Sequence, residues 1–486
     1  MFVLGCVWKE GIVRKVIRLF VILDLLLDIA FLSISGKKSK IDDAIFNKFT
    51  QLGGVYIKFL QAVALKPSFM SEKDVKQKLM VFDNVALEHF NLTSFLTQRY
   101  NSVELHNFAD VELEPFAAGS FAQVYRAKYK GQDVVLKVLR PDVKYFIRFD
   151  QRMIKLFGIF AGLIPSLNEI GIKQIIKQFI QTTTEEVNYA VEVSHARQLY
   201  DRYKDHQKIV IPYTFTEVCI QDCIVQERLE GVAFTELLEH RSEYTVSQPF
   251  IETMIELGYE NLSSSLHNKS VHADPHPGNL LLLSDGKIGI IDFGIAAAPP
   301  RDTQAFFEVV RCYDQHFKGN FNFSTFFVAI FRFYAPSLYK SICSIDDAQT
   351  GEKYLEKLTN YAESQYAKRK LDADVQFYLQ EARVRELFMK VINENNSLEL
   401  DIQLDASVMQ AGAASFNRML DSFGIKHQVL AGLYARAVED VEQHGLPRTQ
   451  QQAVVDLEYI AETVDTWLHR LAQTNPLLFT KLRSIA

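Results

Sequence analysis

The residues best suited to chemistry lie in one stretch, Val271-His272-Ala273-Asp274-Pro275-His276-Pro277-Gly278-Asn279, followed by Ile290-Ile291-Asp292-Phe293-Gly294. Phosphoryl transfer asks for a carboxylate near the attacking oxygen and for oxygen ligands to a magnesium ion that neutralises phosphate charge. Asp274 is therefore the candidate catalytic carboxylate, and Asn279 and Asp292 are the candidate metal ligands. The plain alternative is a turn-rich loop capped by short polar side chains. An H-x-D-x-x-x-x-N pattern followed by a hairpin and D-F-G is too specific a combination for that reading to be preferred. His272 reads as an orienting residue rather than a proton carrier, and His276 as structural or phosphate-facing.

A nucleotide needs a second set of contacts. Ala117-Ala118-Gly119-Ser120-Phe121-Ala122-Gln123-Val124 is a loop of small residues between two predicted strands, in the place of a kinase glycine-rich loop. Small residues let the backbone approach phosphates. Such loops are common, and this one gains its meaning from Val134-Val135-Leu136-Lys137 in the next strand, where the Lys of a V-A-I-K-like segment pairs with phosphate oxygens. The expected nucleotide contacts are Ala117, Ala118, Gly119, Ser120, Phe121, Ala122, Val124 and Lys137. Glu227, in the Gln226-Glu227-Arg228 segment that reads as a hinge, joins them beside the adenine. Lys137 in turn needs a carboxylate to position it, and Glu192 is the choice over Glu185 and Glu186.

The elements that must hold these groups follow from periodicity. Ile41–Leu65 has helical spacing and ends before Pro67, with further helical sequence to about Gln98. Short β-prone runs at Val111–Phe116, Gln123–Tyr129 and Asp133–Leu139 precede a helical region over Ile172–Tyr203. Strand-like runs recur at Ile209–Tyr213 and Ile224–Glu227, and Leu280–Leu283 and Lys287–Ile291 flank Ser284-Asp285-Gly286 as a hairpin. The sequence beyond Arg301 reads as helical throughout. Four regions result: a helical extension over 1–107, a small lobe with an inserted helix over 108–230, the catalytic part of a large lobe over 231–300, and a helical region over 301–486.

Composition narrows the class. The chain is 48% hydrophobic and 23% charged, and its 36 Phe favour thick helical packing over disorder. A net charge of −6 argues against a general nucleic-acid binder. The five cysteines contain no C-x-x-C pair and suit a reducing compartment, with Cys219 and Cys223 read as buried apolar residues. No uncharged apolar run reaches the roughly 18 residues of a membrane-crossing helix. Ile12–Ile34 comes nearest, but Arg14, Arg18, Asp24 and Asp28 fall on one side of a helix, with Leu19, Phe20, Leu23, Leu26 and Leu27 on the other. Two readings stay open for it: a helix docked on its own protein, or an anchor lying in a membrane surface. The expected location is cytoplasmic or peripheral on a membrane.

Taken together, these motifs resemble the UbiB/AarF-type atypical kinases, over roughly Gln51 to Pro300. The alanine-rich loop, the D-P-H-P-G-N segment from Asp274 to Asn279, and Glu186-Val187-Asn188-Tyr189-Ala190-Val191-Glu192 match that family's patterns. So does its K-x-G-Q motif, here Lys58-Phe59-Leu60-Gln61. The resemblance implies an α+β, two-lobed protein-kinase-like fold with an N-terminal helical extension and a helical C-terminal region. It adds Lys58, Gln61, Glu186 and Asn188 as family-motif positions. It implies ATP and Mg2+ as cofactors and ATPase or small-molecule phosphotransferase activity. It also implies a role in ubiquinone or isoprenoid-lipid metabolism at a membrane surface, with an isoprenoid lipid or quinone precursor as partner. In the family, the K-x-G-Q helix folds over the protein-substrate entrance and meets the E-x-D pair. The absence of an A-P-E element, with little room after Gly294, also speaks against protein phosphorylation. Three departures stand out: Leu60 for Gly, Asn188 for Asp, and Gly119 for the last Ala of A-A-A-S, which predicts relaxed nucleotide handling. The competing readings are an aminoglycoside- or choline-kinase-like phosphotransferase and a pseudokinase scaffold that turns nothing over.

Overall fold

The computed structural model describes residues 2–35, 40–52, 55–64, 91–119, 121–161, 172–267, 269, 271–297, 299–300, 302–334 and 404–446, with isolated positions between 336 and 360. They divide into two units. The first comprises Met1–Asp205, Ile211–Glu230 and the four residues Asp292–Ile295; the second comprises the rest.

The first unit opens with α1 (Phe2–Ile34), α2 (Ile41–Leu52), α3 (Val55–Ala64), α4 (Leu92–Arg99) and α5 (Ser102–His106). Strands β1 (Phe108–Ala109), β2 (Ala117–Ala118), β3 (Ala122–Tyr129) and β4 (Gln132–Leu139) follow. Next come α6 (Pro141–Ala161), α7 (Ile172–Glu186) and α8 (Tyr189–Tyr203). The chain then supplies β5 (Ile209–Val210) to the second unit and returns for β6 (Cys223–Glu227). The β3–β4 turn is Lys130-Gly131, both at positive φ, as a two-residue hairpin with right-handed strand twist requires. This turn fixes the register that sets Val124 opposite Lys137, and β6 adds Ile224 on the other side of Lys137.

Alternation then sorts the sheet's two faces. Val134, Leu136 and Val138 join Tyr125, Tyr129 and Leu96 in one core. Lys137 and Leu139 point the other way, and Leu139 enters a second core built mainly by the helices. There Phe49 packs on Tyr56, Phe59 and Phe157, and Phe59 on Phe179, with ring centroids 5.1 to 5.6 Å apart. This is the aromatic packing that the Phe content implies.

Two expectations need correction. Val111–Phe116 is no strand: only Glu112 and Phe116 donate backbone bonds to β3, because the β-prone residues there alternate with charged ones that stay exposed. Ile172–Tyr203 is two helices, broken at Val187–Asn188, where Asn188 leaves helical geometry and begins α8. α1 packs on its own unit through Ile22, Leu25 and Ile29 with Arg18 beside them, while Asp24 and several of its other apolar residues are exposed. Arg18 binds Asp150 at 2.7 Å, and Asp24 and Asp28 face Lys48.

In the second unit β5 runs parallel to β10 (Ile288–Ile290), followed by β9 (Leu280–Leu283) and β7 (Gly231–Ala233). A separate pair joins β8 (Val271–His272) to β11 (Ala296–Ala297). The helices are α9 (Phe234–Glu239), α10 (Gln248–Leu266), α11 (Thr303–Phe317), α12 (Phe323–Tyr334), α13 (Leu404–Phe423) and α14 (Lys426–His444). Ser247 caps α10 and Asp302 caps α11 by accepting the N–H groups that each first turn leaves unpaired. The predicted β9–β10 hairpin forms, with Gly286 at φ 82° in its turn.

Candidate active site

The residues predicted to act fall in both units, and each group is described within its own. In the first, Lys137 projects from the helical face of β4. Its Nζ donates to Glu192 Oε1 at 2.6 Å and to Asp292 Oδ2 at 2.7 Å. Asp292 Oδ1 accepts the Gly294 N–H at 2.9 Å, which turns the D-F-G segment back on itself. Burial pushes the Lys137 ammonium down, but Asp292 and Glu192 outweigh it and hold its pKa well above the ordinary value. Glu192, 1% exposed, is pushed up to about 7 by burial, against the pull of Lys137. One ammonium between two carboxylates leaves a negative charge over, so one acid is held partly protonated.

Lys58 of α3 makes an ion pair with Glu186 at the end of α7, and its Nζ lies 4.7 Å from the centre of the Phe121 ring. The break after Glu186 sets Glu186 and Glu192 on different helices. Both nonetheless come close to Gly294. A Cβ built there would lie 3.2 Å from Asp292 Oδ1, 3.7 Å from Glu192 Oε2 and 3.9 Å from Glu186 Cγ. Gly294 is thus a close-approach glycine that lets three acids gather. Asn188, between the two Glu, is exposed and its side chain caps nothing.

The small-residue loop is set by β2 and by Gly119, whose N–H donates to Ala122 O. Phe121 and Ala122 are buried, Val124 lies opposite Lys137, and Ala117 and Gly119 are exposed. Open space surrounds the position a Gly119 Cβ would take. Ser120 and the side chain of Gln61 lie outside the described residues. Glu227 ends β6, where its carboxylate accepts the Tyr213 N–H at 3.1 Å. Cys223 is buried and Cys219 half-buried, both as free thiols.

In the second unit, the loop after β8 is bound to itself. Asn279 Nδ2 donates to Asp274 O at 3.0 Å and to Asp274 Oδ2 at 3.2 Å. The His276 N–H donates to Asp274 O, and His276 Nδ1 accepts the Gly278 N–H. His276 thus shapes the turn through its Nδ1, while its ring remains exposed. The Asn279 Oδ1 is an oxygen donor of the type magnesium takes, and its backbone oxygen accepts the N–H of Ile291. His272 is buried, and its carbonyl accepts from Asn261.

Several residues of this environment carry no motif. Tyr189 is 1% exposed and its hydroxyl has no hydrogen-bond partner among the described residues; burial, helped by the Glu192 and Asp292 charges and opposed by Lys137, pushes its pKa well above the ordinary value. His195 Nδ1 lies 3.4 Å from Phe293 O. In the second unit, α13 touches the catalytic loop at Gly412, where a Cβ would fall 2.3 Å from Ala273 O. Six residues on, partial burial lowers the pKa of Arg418 while the Asp274 carboxylate opposes it. Only the E-x-N-Y-x-x-E spacing pointed to Tyr189, and nothing in the sequence singled out Gly412 or Arg418.

Within each unit the donors are of the hard, oxygen-bearing kind that magnesium and polyphosphates take: Asp292 beside the buried Lys137 in the first, and Asp274 with the Asn279 amide in the second.

Residues 83–316 match the ABC1 atypical kinase-like domain. An uncharacterised chloroplastic aarF domain-containing protein kinase of Arabidopsis thaliana is 30% identical over 54% of this chain and 49% of its own length. The probable protein kinase UbiB of Shewanella piezotolerans is 29% identical over 48% of this chain and 42% of its own. The chain thus spans less than half the length of these two relatives. A solved Rv3197–erythromycin complex from Mycobacterium tuberculosis aligns with a TM-score of 0.44 at 17% identity, over 84% of this chain and 95% of that one.

Proposed function

Because residues 83–316 belong to the ABC1 atypical kinase-like family of the UbiB/AarF type, we propose that this chain binds Mg-ATP and acts as an ATPase or small-molecule phosphotransferase. The observation that carries the reading is Lys137 held between Glu192 and Asp292. A Lys kept cationic on a rigid strand, with its helix carboxylate already engaged, is prepared for phosphate oxygens. Bound Mg-ATP supplies the phosphoryl group and the cation that offsets its charge. Asn279 and Asp292 would hold that cation, the small-residue loop around Ala117, Ala118 and Gly119 would border the phosphates, and Glu227 would mark the adenine end. Asp274 orients the attacking hydroxyl or water.

The acceptor class we favour is an isoprenoid lipid or quinone precursor, reached at a membrane surface. Two features support a small acceptor over a protein. Lys58 of the K-x-x-Q helix is tied to Glu186 and lies over Phe121, beside the loop. The chain also lacks an A-P-E element.

The test is ATP hydrolysis by the full chain with and without magnesium, beside Asp292→Asn, with phenolic quinone precursors added in a second series. Magnesium-dependent turnover that the variant loses by about 100-fold or more is expected. Nucleotide binding without turnover in every condition would replace this reading with that of a scaffold.

A further inference from the structure

A buried hydroxyl is normally hydrogen-bonded, because one left unpaired has given up water for nothing. Tyr189 departs from that pattern. It is the first residue of α8, is 1% exposed, and belongs to the same core as Phe121, Leu139 and Ile224. Its hydroxyl has no hydrogen-bond partner among the described residues. Phenylalanine would fill the same space without the unpaired oxygen.

The groups around that hydroxyl are the ones assigned to the nucleotide. Glu192 stands three residues on and so shares a face of α8 with Tyr189. Its Oε1 accepts from Lys137 Nζ at 2.6 Å, and Lys137 also donates to Asp292 at 2.7 Å. The charges of Lys137, Glu192 and Asp292 all reach the Tyr189 hydroxyl, that of Lys137 most strongly. A phenol can donate and accept, yet here it does neither beside an ammonium and two carboxylates.

These three charged groups satisfy one another only while they keep this arrangement. An Asp292 that serves a magnesium ion and a Lys137 that serves phosphate oxygens give up their mutual bond, and Glu192 loses part of its hold on the ammonium. Glu192 is 1% exposed, so water is not there to replace what it loses. The O–H of Tyr189, on the same helix face, is a donor with no other engagement. A donor that is costly in one arrangement and paired in another belongs to the second.

We propose that Tyr189 is a positioning residue of the nucleotide-loaded state: its hydroxyl donates to Glu192 when Lys137 turns to phosphate oxygens, and so keeps Glu192 in place behind Lys137. This rests on the Mg-ATP reading and gives a role to a residue that the reading leaves without one.

The test is Tyr189→Phe in the full chain, read by melting temperature and by calorimetric titration with Mg-ATP, neither of which depends on turnover. Without nucleotide the variant is expected to melt at the wild-type temperature or up to roughly 4 °C above it, since it sheds an unpaired oxygen and keeps the ring. Mg-ATP should bind it about 10-fold more weakly, the lower end of what a hydrogen bond to a charged group contributes. The rise in melting temperature at a fixed Mg-ATP concentration should shrink with it. In a Glu192→Gln background, where the acceptor has lost its charge, the loss from Tyr189→Phe should fall to about 2-fold. An undiminished loss there would mean that the hydroxyl acts on the nucleotide itself, and would overturn the assignment to Glu192. A fall of several degrees without nucleotide would mean that a buried water already holds the hydroxyl, and would overturn the proposal. So would a variant that binds Mg-ATP like the wild type. A wild type that takes no Mg-ATP would overturn the functional reading and this inference together, so the two failures are distinguishable.

Discussion

The Lys137 cluster holds more carboxylate than one ammonium can neutralise, and this has a pH signature. Glu192 rises from 4.5 to about 7, so the folded state binds a proton that the unfolded chain releases between those values. Its contribution to stability is full below pH 4.5 and is lost as pH rises through about 7, an effect on the order of a few kcal/mol. Denaturation midpoints of the wild type should carry this falling component, and Glu192→Gln should lack it. Gly294→Ala makes a different demand, since its Cβ would press on Asp292 Oδ1 at 3.2 Å. Turnover should fall at least about tenfold with little loss of melting temperature, because a displaced metal ligand matters more to chemistry than to folding. Gly119→Ala has room and should stabilise by about 0.4–1 kcal/mol through the unfolded state. If the loop's flexibility relaxes nucleotide handling, ATP affinity or turnover will change as well; no change in either would remove that idea.

Among the elements, α1 and α13 show what tertiary contacts add. Arg18→Ala would leave Asp150 buried without its cation. Burial already pushes that carboxyl up to about 6, so the loss should be about 3 kcal/mol at pH 8 and smaller at pH 5, measured by urea unfolding. Gly412→Val should destabilise the second unit by about 1–3 kcal/mol, since a carbonyl on the backbone cannot move aside as a side chain can. The sequence made the β3–β4 and β9–β10 hairpins legible because turn residues and alternation agreed there. The Lys137–Glu192 pair was legible because each stood at a fixed place in a motif, but that Asp292 shares the same ammonium was not. The α7–α8 break was not legible, because Val187-Asn188 contains neither Gly nor Pro and apolar residues continue on both sides. Nor was the direction in which α1 faces. Periodicity separates two sides of a helix, and it takes Asp150, far away in sequence, to draw Arg18 inward beside Ile22, Leu25 and Ile29.

At the scale of the molecule, each unit has its own core, and the second depends on its last helices. α14 packs along α10, and Arg436 binds Glu256 across that contact at 2.6 Å. A chain ending before residue 404 should therefore lose protease resistance over 231–291 while 91–205 stays protected, read by limited proteolysis and mass spectrometry. A further consequence lies in chain order. Asp292 follows Lys137 by 155 residues, yet it completes the first unit from inside sequence that otherwise builds the second. At about 5–20 residues per second, a ribosome needs roughly 8–30 s to travel from one to the other. Glu192 follows Lys137 by 55 residues, so only for the later part of that interval, roughly 5–20 s, can the nascent Lys137 have Glu192 but not Asp292. The first unit's polar centre must wait for nearly all of the hairpin that precedes D-F-G, which makes this stretch of synthesis the period when a chaperone would matter most.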